Sequence, residues 1–99
     1  MITSFGIEPV KNDTLNSIAL LNWTGNYEVD GCGFIIELNE QEYKAANEDM
    51  IDEIFKSFYD PVQVRLEYIN LKKKQGYFCG DLPFAIEYYM IEILSIEKL

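Results

Sequence analysis

Histidine is absent from this chain, and that absence removes the commonest routes to catalysis. Without an imidazole there is no histidine general base and no Ser–His–Asp or Cys–His nucleophile pair. Basic residues are scarce, 8 against 17 acidic ones for a net charge of −9. Such a field repels polyphosphate, because nucleic-acid binding depends on Lys and Arg displacing condensed counterions, and it attracts a basic protein instead. There are only two cysteines, Cys32 and Cys79, too few for a disulfide framework. No apolar run approaches the roughly 18 residues of a membrane-spanning helix. The opening stretch MITSFGIEPV has neither a positive leader segment nor a continuous apolar one, so it does not read as a signal peptide. The expectation is a cytoplasmic protein with reduced thiols. Asn12-Asp13-Thr14 and Asn22-Trp23-Thr24 match the glycosylation pattern, which carries no weight without an export signal. No motif here names a reaction, and the chain reads as non-catalytic.

What is present is a foldable chain. Its 99 residues make one domain over 1–99,. Hydrophobic residues at 48% and aromatic ones at 14%, seven of them tyrosine, argue for a packed core rich in strands. Residues 1–16 are ambiguous, with Ile2 to Ile7 as a short strand or arm. Ser17 to Trp23 alternates, placing Ala19, Leu21 and Trp23 on one face. In Gly33–Leu38 (GFIIEL) the residues Phe34, Ile36 and Leu38 share a face,. Asn39-Glu40 reads as a hairpin turn, leading to a short third strand from Gln41 to Ala45. Val62 to Tyr68 alternates again, with Val62, Val64, Leu66 and Tyr68 inward, and Ile86 to Leu99 supplies a last strand.

Between the third and fourth strands the period changes. Asn47 suits a helix N-cap, and Glu48 and Asp49 suit a first turn. Met50, Ile51, Ile54, Phe55 and Phe58 recur at helical spacing,, with Asp52, Glu53 and Lys56 on the opposite face. The spacing predicts a helix of about three turns, ended before Pro61. Strand, strand, strand, helix, strand, strand is the element order of the OB-fold, and the chain resembles that superfamily over roughly residues 15–99. GFIIEL, NEDMIDEIFKSF and VQVRLEY carry the resemblance. It implies a mainly β, five-stranded Greek-key barrel with one helix between strands three and four. The alternative is an α+β arrangement, one helix packed on an antiparallel sheet.

The resemblance also implies that the strand 1–2 loop (about 24–31) and the strand 4–5 loop (about 70–84) flank one ligand-binding face. The candidate partner-binding residues are therefore Trp23 and Tyr27 by the first loop, and Lys72, Lys73, Lys74 and Tyr77 in the second, with Phe78 beside them. Lysines next to aromatic rings are the recipe for single-stranded nucleic acid. The same triplet also reads as a solvated hairpin tip, and the flanking Glu28, Asp30 and Asp81 oppose phosphate. Aromatic anchors also suit a protein interface. The expected function is thus a small acidic module binding a protein partner, either a basic one or a second copy of itself. Antitoxin, immunity and inhibitor proteins are of this kind. Single-stranded nucleic acid is the disfavoured alternative, and no cofactor or membrane is implied. Asp30-Gly31-Cys32 and Cys79-Gly80-Asp81 mirror one another across the two loops. The cysteines read as a proximal pair, either buried inert thiols or a disulfide if their Cα atoms lie about 4.4–6.8 Å apart. With only Asp30 and Asp81 to add, no zinc pattern forms, so no metal is expected.

Overall fold

The computed structural model describes residues 14–29, 31–80 and 82–99. Expectations for residues 1–13 and for Asp30 and Asp81 lie outside the described residues. Five strands form a closed barrel: β1 (Thr14–Trp23), β2 (Phe34–Leu38), β3 (Gln41–Ala45), β4 (Val62–Tyr77) and β5 (Ile86–Lys98). Their order around the barrel is β1-β2-β3-β5-β4. Neighbours are antiparallel apart from the parallel β3–β5 pair. β1 closes the ring because one strand serves two partners, Leu20 lying opposite Glu37 of β2 and Gln63 of β4.

Alternation decides which side chains fill the barrel. Ala19 and Leu21 of β1, Phe34, Ile36 and Leu38 of β2, Val64 and Leu66 of β4, and Ile91 and Ile93 of β5 form one buried cluster. Each fully buried aliphatic side chain contributes roughly 1.5–3 kcal/mol, so these residues hold the ring closed. The β2–β3 hairpin turns at Asn39 and Glu40, both with positive φ (52° and 68°). That is the two-residue turn whose twist matches a right-handed strand pair. In β5 the pairing steps from Tyr68–Ile93 to Glu67–Ser95. Leu94 is therefore an extra residue, and the bulge moves the inward position from Ile93 to Ile96.

The expected helix does not form. Residues 46–61 make two 3-10 turns, Glu48–Met50 and Glu53–Phe55, separated by the extended Ile51. Among the described residues the only other helical turn is Tyr27–Val29, also 3-10, so the alternative with a packed α-helix is not the architecture either. The reason is tertiary. Asn47 does not cap a helix. Its side-chain amide donates to the Ile93 carbonyl (2.8 Å) and accepts from the Ile93 amide (2.9 Å), hooking the segment to β5. Glu48 turns back onto Lys44 and the Phe34 amide rather than to solvent. Asp52 accepts from the Ile54 amide at 3.0 Å and starts the second turn afresh. Of the five apolar residues expected on one helix face, only Ile51 and Phe55 are buried; Met50, Ile54 and Phe58 are exposed.

The lysine triplet is not in a loop. β4 runs on through it to Tyr77, and the connection to β5 shortens to residues 78–85. Pairing passes from Asn70–Ile91 directly to Lys74–Tyr89, so residues 71–73 face Met90 alone. The triplet is thus centred on a bulge. Lys72 sits there at φ 56°, and its amide donates to Asn70 Oδ1 at 2.8 Å. An Asn side chain bonding the backbone two residues on offers an alternative to the ladder. Beyond the bulge, Gln75–Tyr77 and Ile86–Tyr88 continue as a two-stranded arm. All three lysines are exposed.

Candidate functional site

The β1–β2 connection and the tip of the β4–β5 arm lie side by side and are bonded. Cys32 and Cys79 form a disulfide with Cα atoms 4.8 Å apart, closing a sequence separation of 47. The expectation of reduced thiols thus gives way to a bonded pair, the form that persists in oxidising compartments. Their sequence separation alone carries no connectivity. It is the bulge in β4 and the turn at Tyr27–Val29 that bring the two chain segments together.

Beneath this bridge lies a polar knot on the outer face of the barrel. Lys44 alternates with the inward-facing Tyr43 and Ala45 on β3, so its side chain leaves the barrel, yet it is wholly buried. Its ammonium donates to the carbonyls of Cys32 and Phe34 (2.5 and 2.7 Å) and pairs with Glu48 Oε1 at 2.9 Å. An ammonium has three donors, and all three are used. The group also lies over the rings of Tyr27 (5.1 Å) and Tyr77 (5.0 Å), which stack 6.1 Å apart with 18° between their planes. Glu48 receives the Tyr27 hydroxyl and the Phe34 amide, each at 2.9 Å.

Electrostatics follow from that geometry. Burial lowers the Lys44 pKa from its ordinary value, while the hydrogen bond and charge of Glu48 pull it back up. Burial raises the Tyr27 hydroxyl well above the usual phenol range, and its bond to the Glu48 carboxylate adds to that. Tyr77 and Tyr88 are raised too, by burial first and then by the nearby Glu48 and Glu42 carboxylates respectively. Gly33 makes the knot possible. Its φ of +66° is left-handed, and a Cβ there would collide with Glu48 Oε2 and lie 2.9 Å from the Tyr27 hydroxyl.

The knot forms one wall of a cleft of about 750 Å³. Trp23, Tyr27 and Tyr77 supply aromatic walls, Glu48, Asp49 and Glu53 supply carboxylates, and Lys56 is the one basic lining residue among the described residues. Trp23 packs on Phe34 (4.8 Å between centroids) and edge-on to Phe58 (6.4 Å). The Lys56 ammonium lies over the Trp23 ring at 4.5 Å. Phe58, the edge-on neighbour of Trp23, is itself 71% accessible.

Three of the residues singled out from sequence, Trp23, Tyr27 and Tyr77, therefore share this cleft. The lysines do not. Lys72 lines a separate cleft of about 350 Å³ with Gln41, Tyr43, Asn70 and Tyr89, Lys74 lies over the Tyr89 ring at 4.8 Å, and Phe78 is exposed. Sequence reasoning missed Lys44, Glu48 and Phe58 as neighbours of the cleft. Lys44 and Glu48 are four apart, but on a strand and a following turn that spacing is no signal, and a lysine on an outer strand face normally reads as solvated. No family model, curated protein or solved structure matches the chain.

Proposed function

We propose that this chain is a non-catalytic binding module on an OB-like barrel, and that it engages a protein partner through the cleft between the β1–β2 connection and the β3–β4 connection, with Tyr77 of the β4–β5 arm on its wall. The strand order β1-β2-β3-β5-β4 with its parallel β3–β5 pair supports the OB-like reading, in which ligands bind beside the β1–β2 and β4–β5 loops; Trp23, Tyr27 and Tyr77 of the cleft lie at those two connections. Two 3-10 turns then take the place of the expected helix. The observation that carries the reading is the cleft itself: aromatic walls from Trp23, Tyr27 and Tyr77, a rim of carboxylates, and the largely exposed Phe58 beside it. Trp and Tyr are the residues on which interface energy concentrates. A net charge of −9 steers the encounter toward a basic surface, as suits a protein of the antitoxin, immunity or inhibitor kind. The lack of histidine supports the non-catalytic part.

The test is selection of random-sequence peptides against the folded protein, followed by amide chemical-shift mapping. Enriched peptides should carry net positive charge and perturb Trp23, Tyr27 and Tyr77. Selected peptides that map to any other surface would sink the proposal.

A second reading is single-stranded nucleic acid, favoured by the Lys72–Tyr43–Tyr89 cleft and the Lys74–Tyr89 contact, which join cation and ring as strand binding requires. Titration with oligothymidylate at low salt separates the two. Binding with shifts centred on Lys72–Lys74, and a salt slope that flattens when these are replaced by alanine, supports the second; no binding removes it.

A further inference from the structure

We propose that the cleft accepts a single lysine or arginine side chain of the partner, its cationic head on the face of Trp23, and that Lys56 is a displaceable internal occupant of that position. The inference rests on the cleft being the partner site and specifies what enters it.

The fold already holds one cation against aromatic rings. Lys44 is held over Tyr27 and Tyr77 and against Glu48, and is completely buried. That ammonium engages the Tyr27 and Tyr77 rings and Glu48 Oε1, and it cannot leave without exposing two carbonyls. Trp23 is different. Tryptophan is the strongest of the aromatic rings for a cation, and its occupant comes from an exposed side chain on the mouth of the cleft. The backbone of Lys56 is fixed, its amide donating to the Glu53 carbonyl at 2.9 Å as the second 3-10 turn ends. Its four-carbon stem is not, so the ammonium can swing away while the turn stays in place. Asp49 and Glu53, on the same lining, then meet the charge that replaces it. Arginine fits as well as lysine, because a guanidinium stacks on an indole and forks to a carboxylate.

An exposed cation–ring contact of this kind resists displacement by only about two- to fivefold in binding constant. Lys56 therefore acts as a weak competitor that keeps Trp23 covered when no partner is bound. Removing it should tighten binding by that factor rather than weaken it, the opposite of what a residue contacting the partner would do.

Trp23 is the only tryptophan, so its fluorescence and its indole N–H resonance report on the site directly. The probes are the blocked tripeptides Gly-Lys-Gly and Gly-Arg-Gly, with Gly-norleucine-Gly as the uncharged control of equal stem length. The charged peptides should shift the Trp23 signals, and the norleucine peptide should need at least about tenfold more. Lys56→Met and Lys56→Gln should each lower the dissociation constant about two- to fivefold. The gain should persist in 0.5 M salt, where long-range attraction is screened and mere loss of a positive charge would no longer matter. Equal binding of the norleucine peptide, or unchanged or weaker binding in both Lys56 variants, overturns the inference. Library-selected peptides discriminate the two levels. If they map to the cleft but bind without any Lys or Arg, this inference fails and the partner site stands; if none perturbs Trp23 or Tyr77, both fail.

Discussion

Replacing Lys44 by methionine tests whether the knot holds the arm against the barrel. Methionine keeps most of the stem's volume and removes the ammonium. Three bonds are lost, those to the Cys32 and Phe34 carbonyls and to Glu48. Glu48 keeps the Tyr27 hydroxyl and the Phe34 amide and is 21% exposed, so it is not stranded as a bare buried charge. The two carbonyls lose their ammonium donor, and a buried polar group left unpaired costs about 1–3 kcal/mol. Against this, the native state no longer bears the desolvation of an ammonium, the effect that lowers the Lys44 pKa. Breaking a fully buried pair from one side costs about 3–5 kcal/mol. With Glu48 part-exposed and doubly bonded, the lower end applies, about 3 kcal/mol. For a domain near 100 residues each 1 kcal/mol lowers the melting temperature by about 4–8 °C, so Lys44→Met should melt about 12–24 °C below wild type. The assay is urea unfolding followed by Trp23 fluorescence and by far-ultraviolet circular dichroism, with coincident transitions required. A change under about 0.5 kcal/mol would refute the reasoning, since it would mean the three bonds are matched by water after substitution.

Removing the disulfide by Cys32→Ser with Cys79→Ser frees a loop set by a separation of 47, for which the chain-entropy relation gives about 4 kcal/mol; equilibrium unfolding checks it, and alkylation of the unreduced native protein should find no reactive thiol. Gly33→Ala should destabilise by more than the roughly 1–2 kcal/mol of a left-handed alanine, because the new Cβ also displaces Glu48; a smaller change in the urea midpoint counts against the packing described. Stability should fall as pH rises past 10, since Tyr27, Tyr68, Tyr77 and Tyr88 all have pKa values raised by burial above the ordinary phenol value of 10.0. The unfolded chain then releases protons that the native state retains, so their contribution is complete below pH 10 and is lost as pH climbs through the raised values. Lys44 works in the opposite sense: its folded pKa is lowered from 10.5, so its unfavourable contribution fades as pH approaches 10.5 from below. Tyrosinate absorbance during alkaline titration should accordingly include a fraction that appears only together with unfolding.

The strands were legible because alternation is a local property. Phe34, Ile36 and Leu38 face inward in the structure as their spacing predicts, as do Val62, Val64, Leu66 and Tyr68. Asn39-Glu40 turns where expected. The helix was not legible, although its apolar spacing was good. Periodicity is a statement about one segment's own burial, and that segment is held by Asn47 reaching Ile93 and by Glu48 reaching Lys44, contacts 46 and four positions away. Two hydrogen bonds to β5 and an ion pair outweigh a helical preference that amounts to tenths of a kcal/mol per residue. The lysine triplet misled for a related reason. Three adjacent charges suggest a solvated turn, yet a strand tolerates them where a bulge turns consecutive side chains toward water.

Composition and patterning by themselves determined that this chain is acidic, mainly β and without histidine. Each of these follows from counting or from the two-residue period of a strand. Only the tertiary structure decided that Cys32 meets Cys79, that Lys44 is buried among Tyr27, Tyr77 and Glu48, and that Trp23 is covered by Lys56. Those neighbours come from three or more separate chain segments, and nothing local encodes them. They are fixed by closure of the barrel and by a bulge that carries the arm back over its outer face.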